Sequence, residues 1–164
     1  MSTTTLHLAK QNFKFSAAHF LIFDETHAER LHGHNYQVRV DIKTPAEAEL
    51  HADGYFLDFN VFKKYIKTRL DQWDEIVLLP KQHPDMKFKE TPKGLEVTFR
   101  DRFYIFPVSE VVLLPVTNTS VEQLSRLLAE EFYNEFKQYG VRQVRVYVAE
   151  TQGQGASTVE PSKA

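Results

Sequence analysis

Leu31-His32-Gly33-His34-Asn35-Tyr36-Gln37-Val38-Arg39-Val40-Asp41-Ile42-Lys43 decides the fold, because it alternates from end to end. His32, His34, Tyr36, Val38, Val40 and Ile42 fall on one side, while Asn35, Gln37, Arg39, Asp41 and Lys43 fall on the other. This is the period-two pattern of a half-buried strand. Phe13 to His19 repeats it, with Phe13, Phe15, Ala17 and His19 on the apolar side. The polar connection from Leu21 to Leu31 joins the two. Antiparallel pairing then sets the end of the first strand beside the start of the second.

Working outward, Asp53-Gly54 reads as a turn and Tyr55 to Leu57 as a short strand. Asp58 is placed to cap a helix running to about Gln72, whose Phe62, Tyr65, Ile66, Leu70 and Trp73 recur at helical spacing. Met86 to Phe106 reads as strands broken at Pro92-Lys93-Gly94 and Arg100-Asp101, and Ser109 to Pro115 as another strand. Ser120 with Gln123 forms a capping box, and Val121, Leu124, Leu127, Leu128, Phe132 and Phe136 trace a second helix that Gly140 ends. Val141 to Glu150 is a final alternating strand. The small, polar composition from Gly153 onward predicts a disordered tail over 153–164, leaving one domain over 1–152. The expected fold class is α+β, an antiparallel β-sheet with two helices on one face. Its unprotected edges favour pairing with other copies of the chain.

Composition narrows the function. The 164 residues carry 20 Lys plus Arg against 22 Asp plus Glu, so no broad basic face exists and nucleic acid is excluded as the main partner. No stretch approaches a membrane span and the N-terminus lacks a signal-peptide core, so a soluble, cytoplasmic protein is expected. With no cysteine, disulfides, thiolate zinc sites and thiol nucleophiles are all excluded. The histidines are the remaining soft ligands.

His32 and His34, two apart on a strand, leave the same face, and the strand pairing brings His19 to them. Three imidazoles with an open fourth position are a known catalytic zinc arrangement. The pattern by itself also admits plain core histidines. Glu150 follows Val144, Val146 and Val148 on an inward face, where an unpaired carboxylate is costly. Either the strand frays before it, or it accepts hydrogen bonds from a guanidine-like heterocycle edge.

Together, Ser16-Ala17-Ala18-His19-Phe20, Leu31-His32-Gly33-His34-Asn35-Tyr36, Asp53-Gly54, Leu57-Asp58-Phe59, Thr119-Ser120 with Glu122, and Val148-Ala149-Glu150-Thr151 resemble the 6-pyruvoyltetrahydropterin synthase family. That family includes the 6-carboxytetrahydropterin synthase of queuosine biosynthesis. The resemblance implies the tunnelling fold (T-fold), with trimers closing a β-barrel and two trimers stacking into a homohexamer. It implies Zn2+ held by His19, His32 and His34, a pterin substrate gripped by Glu150, and Thr119 and Ser120 lining the pocket at a subunit interface.

Two departures stand out. Members making the pyruvoyl or carboxy product carry a catalytic cysteine before the His-Gly-His motif, whereas this loop reads His27-Ala28-Glu29-Arg30-Leu31. Glu29 resembles the glutamate of a subgroup that cleaves the side chain of 7,8-dihydroneopterin triphosphate to 6-hydroxymethyl-7,8-dihydropterin, a folate precursor. The family's proton-transferring Asp-His pair is matched by Asp74-Glu75, with glutamate in place of histidine. The resemblance therefore implies a zinc-dependent lyase with Glu29, Asp74 and Glu75 as catalytic residues. The alternatives are a 6-pyruvoyl- or 6-carboxytetrahydropterin synthase using another base, or a non-catalytic pterin binder.

Overall fold

A computed structural model describes residues 2–46 and 50–163. Its central pair is β2 (Lys14–His19) and β3 (His32–Ala46), with β1 (Thr3–Leu8) beside the far half of β3. After α1 (Phe59–Asp71) come β4 (Ile76–Pro80), a hairpin pair formed by β5 (Met86–Thr91), β6 (Gly94–Phe99) and β7 (Arg102–Phe106), and β8 (Val111–Leu114). Then follow α2 (Val121–Phe136), β9 (Gln143–Thr151) and β10 (Gln154–Glu160). The large sheet runs β10-β9-β3-β2-β4-β8, and β5-β6-β7 form a separate sheet. No described helix is long and apolar enough to cross a membrane.

The helices form where their caps and stripes put them. Asp58 accepts the Asn60 amide and Ser120 the Gln123 amide, each satisfying a donor left free in the first helical turn. The other half of the capping box does not close, because the Gln123 side chain accepts from Arg126 instead. Phe62, Ile66 and Leu70 of α1 and Leu124, Leu128, Phe132 and Phe136 of α2 share one core with Phe15, Val38, Ile42 and Val146, so both helices cover the same sheet face. α2 gives way at Lys137 to a short 3-10 turn, which closes on Gly140 in the left-handed region. A second core joins β6 to the β2–β3 connection through Val97, Phe99, Phe20 and Ile22.

Four expectations need correction. The sheet is mixed: β4 runs parallel to β2 after the chain returns through α1, and parallel to β8 after the three strands β5–β7 carry the chain back. Residues 55–57 form no strand, because the Tyr55 carbonyl accepts the His51 amide in a closed turn. β1 and β4 were not legible as strands; on β1, the exposed His7 sets its Nδ1 2.7 Å from Asp41 Oδ1. Burial pushes Asp41 up, but hydrogen bonds from His7 and Arg39 outweigh it and hold the carboxyl below its ordinary value.

The tail is the fourth. Residues 154–160 form β10, paired along β9 and packed on α2, where Ser125 Oγ and Thr158 Oγ1 lie 2.7 Å apart. Small residues suit it for close approach: a Cβ at Gly155 would lie 2.4 Å from the Val148 carbonyl oxygen. Composition signalled disorder because small side chains look unfit for a core, yet here they let two backbones meet. Gly155→Ala is expected to destabilise the protein by about 1–3 kcal/mol in urea unfolding; an unchanged midpoint would mean that β10 does not pack there.

Candidate metal and acid-base site

The β2–β3 register sets His19 opposite His32 and Ala17 opposite His34. The three imidazoles thus continue, on the helix-facing side, the row that holds Phe15 and Tyr36. They lie where that row passes the start of α2 and hydrocarbon gives way to polar groups.

Each of two rings is held from behind by a carbonyl. His19 Nδ1 lies 3.0 Å from the Thr119 carbonyl oxygen and 3.2 Å from its hydroxyl, and His32 Nδ1 lies 2.6 Å from the Arg30 carbonyl oxygen. A carbonyl only accepts, so both Nδ1 atoms carry the proton and both Nε2 atoms present lone pairs forward. His19 Nε2 is buried without a hydrogen-bond partner. His32 Nε2 and His34 Nε2 face each other at 2.9 Å, a contact that needs a proton or a cation between them. One nitrogen from each ring falls within 4.8 Å of the others. Tetrahedral ligands at ~2.05 Å from zinc would stand about 3.3 Å apart, so this donor set fits the ion after small shifts. Backbone carbonyls fixing the outer ring nitrogen are what such ligands require.

Carboxylates bracket the cluster. Glu29 Oε2 lies 3.5 Å from His32 Nε2 and accepts the Leu21 amide at 3.0 Å. Glu150 Oε2 lies 3.6 Å from His34 Nε2, and its other oxygen accepts from Gln154 Nε2 at 3.2 Å. β9 continues through Glu150, whose side chain is only 15% exposed, so it is not a frayed end in water. Tyr36, on the same face but given no role from sequence, is buried with an unpartnered hydroxyl; burial, then the charges of Glu150 and Glu29, push that phenol well above its ordinary range. Alternation had placed Tyr36 beside the histidines, which was the available signal.

Other predicted site residues lie elsewhere or serve differently. Thr119 is fully buried with its hydroxyl and carbonyl turned to His19, and Ser120 spends its hydroxyl on the α2 cap. Asp74 Oδ1 accepts the Ser16 amide at 2.8 Å, and the Glu75 amide donates to the Ser16 carbonyl at 2.7 Å. Glu75, in the left-handed region at φ 56°, edges a depression whose lining runs along Ser16, Ala17 and Ala18 of β2 and Gly33, His34 and Asn35 of β3. The side chains of Ser16, Ala18 and Asn35 alternate with the histidines and stand on the face opposite the imidazoles and Glu29. Within one chain, Asp74 and Glu75 do not join Glu29.

Burial lowers His19 from 6.5 to about 4, the Thr119 carbonyl opposes this, and repulsion from His32 and His34 adds to it. The unfolded chain therefore binds a proton below pH 6.5 that the folded chain refuses until about pH 4. The metal-free protein is expected to lose stability across that window, in urea midpoints measured from pH 7.5 to 4. His19→Gln should lack that part of the slope, and equal slopes would remove His19 as its cause.

The 6-pyruvoyl tetrahydropterin synthase family model matches residues 8–161. A Methanocaldococcus jannaschii protein named "Putative 6-carboxy-5,6,7,8-tetrahydropterin synthase" is 33% identical over 147 residues, 87% of each chain. Among solved structures, the 6-pyruvoyl tetrahydropterin synthase of Plasmodium vivax superposes with a TM-score of 0.86 at 26% identity, covering 98% of this chain and 99% of that one. Two further structures of the P. vivax protein, each with a TM-score of 0.87 at 25% identity and the same coverage, carry alanine or cysteine in place of a glutamate described as a catalytic residue.

Proposed function

We propose that this chain, which belongs to the 6-pyruvoyl tetrahydropterin synthase family, is a zinc-dependent lyase that cleaves the side chain of 7,8-dihydroneopterin triphosphate to give 6-hydroxymethyl-7,8-dihydropterin. The observation that carries this reading is Glu29 standing 3.5 Å from His32 Nε2 in a chain without cysteine. The glutamate described as catalytic in the P. vivax relative supports it.

His19, His32 and His34 would hold the zinc. When bound, the ion supplies a Lewis acid that acidifies the substrate's hydroxyls and a template that orients them. Glu150 takes the pterin's guanidine-like edge, where its oxygens accept paired N–H bonds. Glu29 removes the proton from the second side-chain hydroxyl. That oxygen's electrons form a carbonyl, the bond between the first two side-chain carbons breaks, and its electron pair passes toward the pterin ring. The proton held by Glu29 returns to the first carbon. The products are 6-hydroxymethyl-dihydropterin and a triphosphorylated two-carbon aldehyde, with no net oxidation.

A carboxylate is a weaker base than a thiolate, which suits removal of an acidified hydroxyl proton better than removal from carbon. The proposal includes homohexamer assembly, for two reasons. β8 and β10 end the large sheet with one partner each among the described residues. Asp74 and Glu75, on the other face, would reach substrate only in a neighbouring copy's site.

Incubation with dihydroneopterin triphosphate, followed by chromatography, is expected to show 6-hydroxymethyl-dihydropterin. The name of the archaeal relative favours a second reading, and 6-carboxytetrahydropterin as product would establish it instead. Glu29→Gln should keep zinc and pterin binding while turnover falls about 10²–10⁴-fold; undiminished turnover would take Glu29 out of the chemistry.

A further inference from the structure

Glu29 ends a connection whose internal bonds shape it but do not anchor it. Ile22 bridges Ala28, the Phe23 amide donates to the His27 carbonyl at 2.9 Å, and the Glu29 amide to the Leu21 carbonyl at 2.8 Å. At its turn, Asp24 accepts the Thr26 and His27 amides at 2.7 and 2.8 Å. These bonds make a small hairpin whose Ile22 packs into the second core while the Glu29 strand carries the carboxylate.

Three side chains from distant sequence grip it: Arg100 donates from Nη2 to the Asp24 carbonyl at the turn, at 2.6 Å, and two others hold the strands on either side. Arg102, on β7 of the separate sheet, donates from Nη1 to the Glu29 carbonyl at 2.5 Å and from Nη2 to the Ala28 carbonyl at 3.1 Å. Its guanidinium lies 5.4 Å from the Phe20 ring centroid and 5.6 Å from that of Phe99, which fixes its plane. On the other strand of the hairpin, Asn118 accepts the Ile22 amide at 3.1 Å and donates to the Ile22 carbonyl at 2.9 Å. The Ile22 end is thereby tied to the segment whose next residue, Thr119, holds His19. The Glu29 end is tied to β7 by the arginine.

We propose that Arg102 is a positioning residue for Glu29: its two-pronged grip on the Ala28 and Glu29 carbonyls fixes the main chain that sets the Glu29 carboxylate against His32. This rests on the reading of Glu29 as the base. Lysine keeps the charge but offers no rigid planar fork and no flat face for Phe20 and Phe99, so it does not replace arginine here. The three-stranded sheet then serves as the brace of the acid-base loop.

Arg102→Lys and Arg102→Met in the zinc-loaded full chain test the proposal through kcat, KM, zinc content and amide exchange. Misplacing a reacting group by about an ångström costs turnover rather than binding. Both variants are therefore expected to lose at least about tenfold in kcat, with KM and zinc content within about twofold. The amides of Leu21, Phe23 and Glu29 should exchange at least about tenfold faster while those of β2 and β3 keep their rates. Arg102→Lys carries the test if the methionine variant does not fold. Full kcat in the lysine variant, or faster loop exchange with unchanged kcat, overturns the proposal. If the wild type itself turns over no pterin, the functional reading falls, and unchanged loop exchange in Arg102→Lys would then separately show that Arg102 holds nothing.

Discussion

The register between β2 and β3 is the constraint on which the rest depends. Facing His19 to His32 and Ala17 to His34 puts three imidazoles on the side that also carries Phe13, Phe15, Tyr36 and Val38. A slip of one residue would turn His32 and His34 to the polar face and Val38, Val40 and Ile42 into water with them. The hydrocarbon that holds the sheet to its helices therefore also fixes the histidine geometry. Core and site share one cause.

That shared origin explains how buried histidines are tolerated. Removing His19 from water is costly, and the cost is met by keeping the ring neutral and giving its Nδ1 to Thr119. Thr119 sits just before the Ser120 cap, so the start of α2 is anchored to a site ligand. Phe15 stacks on Tyr36 at 4.7 Å and meets Trp73 edge-on, which stiffens the row leading to the cluster. The polar face is left for Glu75 and its neighbours, which is why one chain divides its acidic groups between two sides of a sheet.

Much of this was legible in the sequence, for identifiable reasons. Alternation in Phe13 to His19 and His32 to Lys43 marks strands because one face is wet, and Asp58 and Ser120 mark helix starts because free amides need acceptors. β1 and β4 were missed: Thr3–Leu8 is mostly polar, and Ile76–Pro80 is an unalternating apolar run, which periodicity alone does not assign. The parallel pairing of β4 depends on where α1 returns the chain, a property of tertiary packing. The role of Thr119 and the opposite placement of Glu75 were hidden too, since contacts across 100 residues, or the face a turn residue takes, leave no local trace.

The central claim is that this register builds a three-imidazole metal site. X-ray absorption at the zinc edge of the purified, metal-loaded protein tests it most directly. The account predicts one zinc per chain bound by three imidazole nitrogens and one oxygen, all near ~2.0–2.1 Å. A zinc surrounded mainly by oxygen, or one whose coordination is unchanged in His34→Ala, would contradict it.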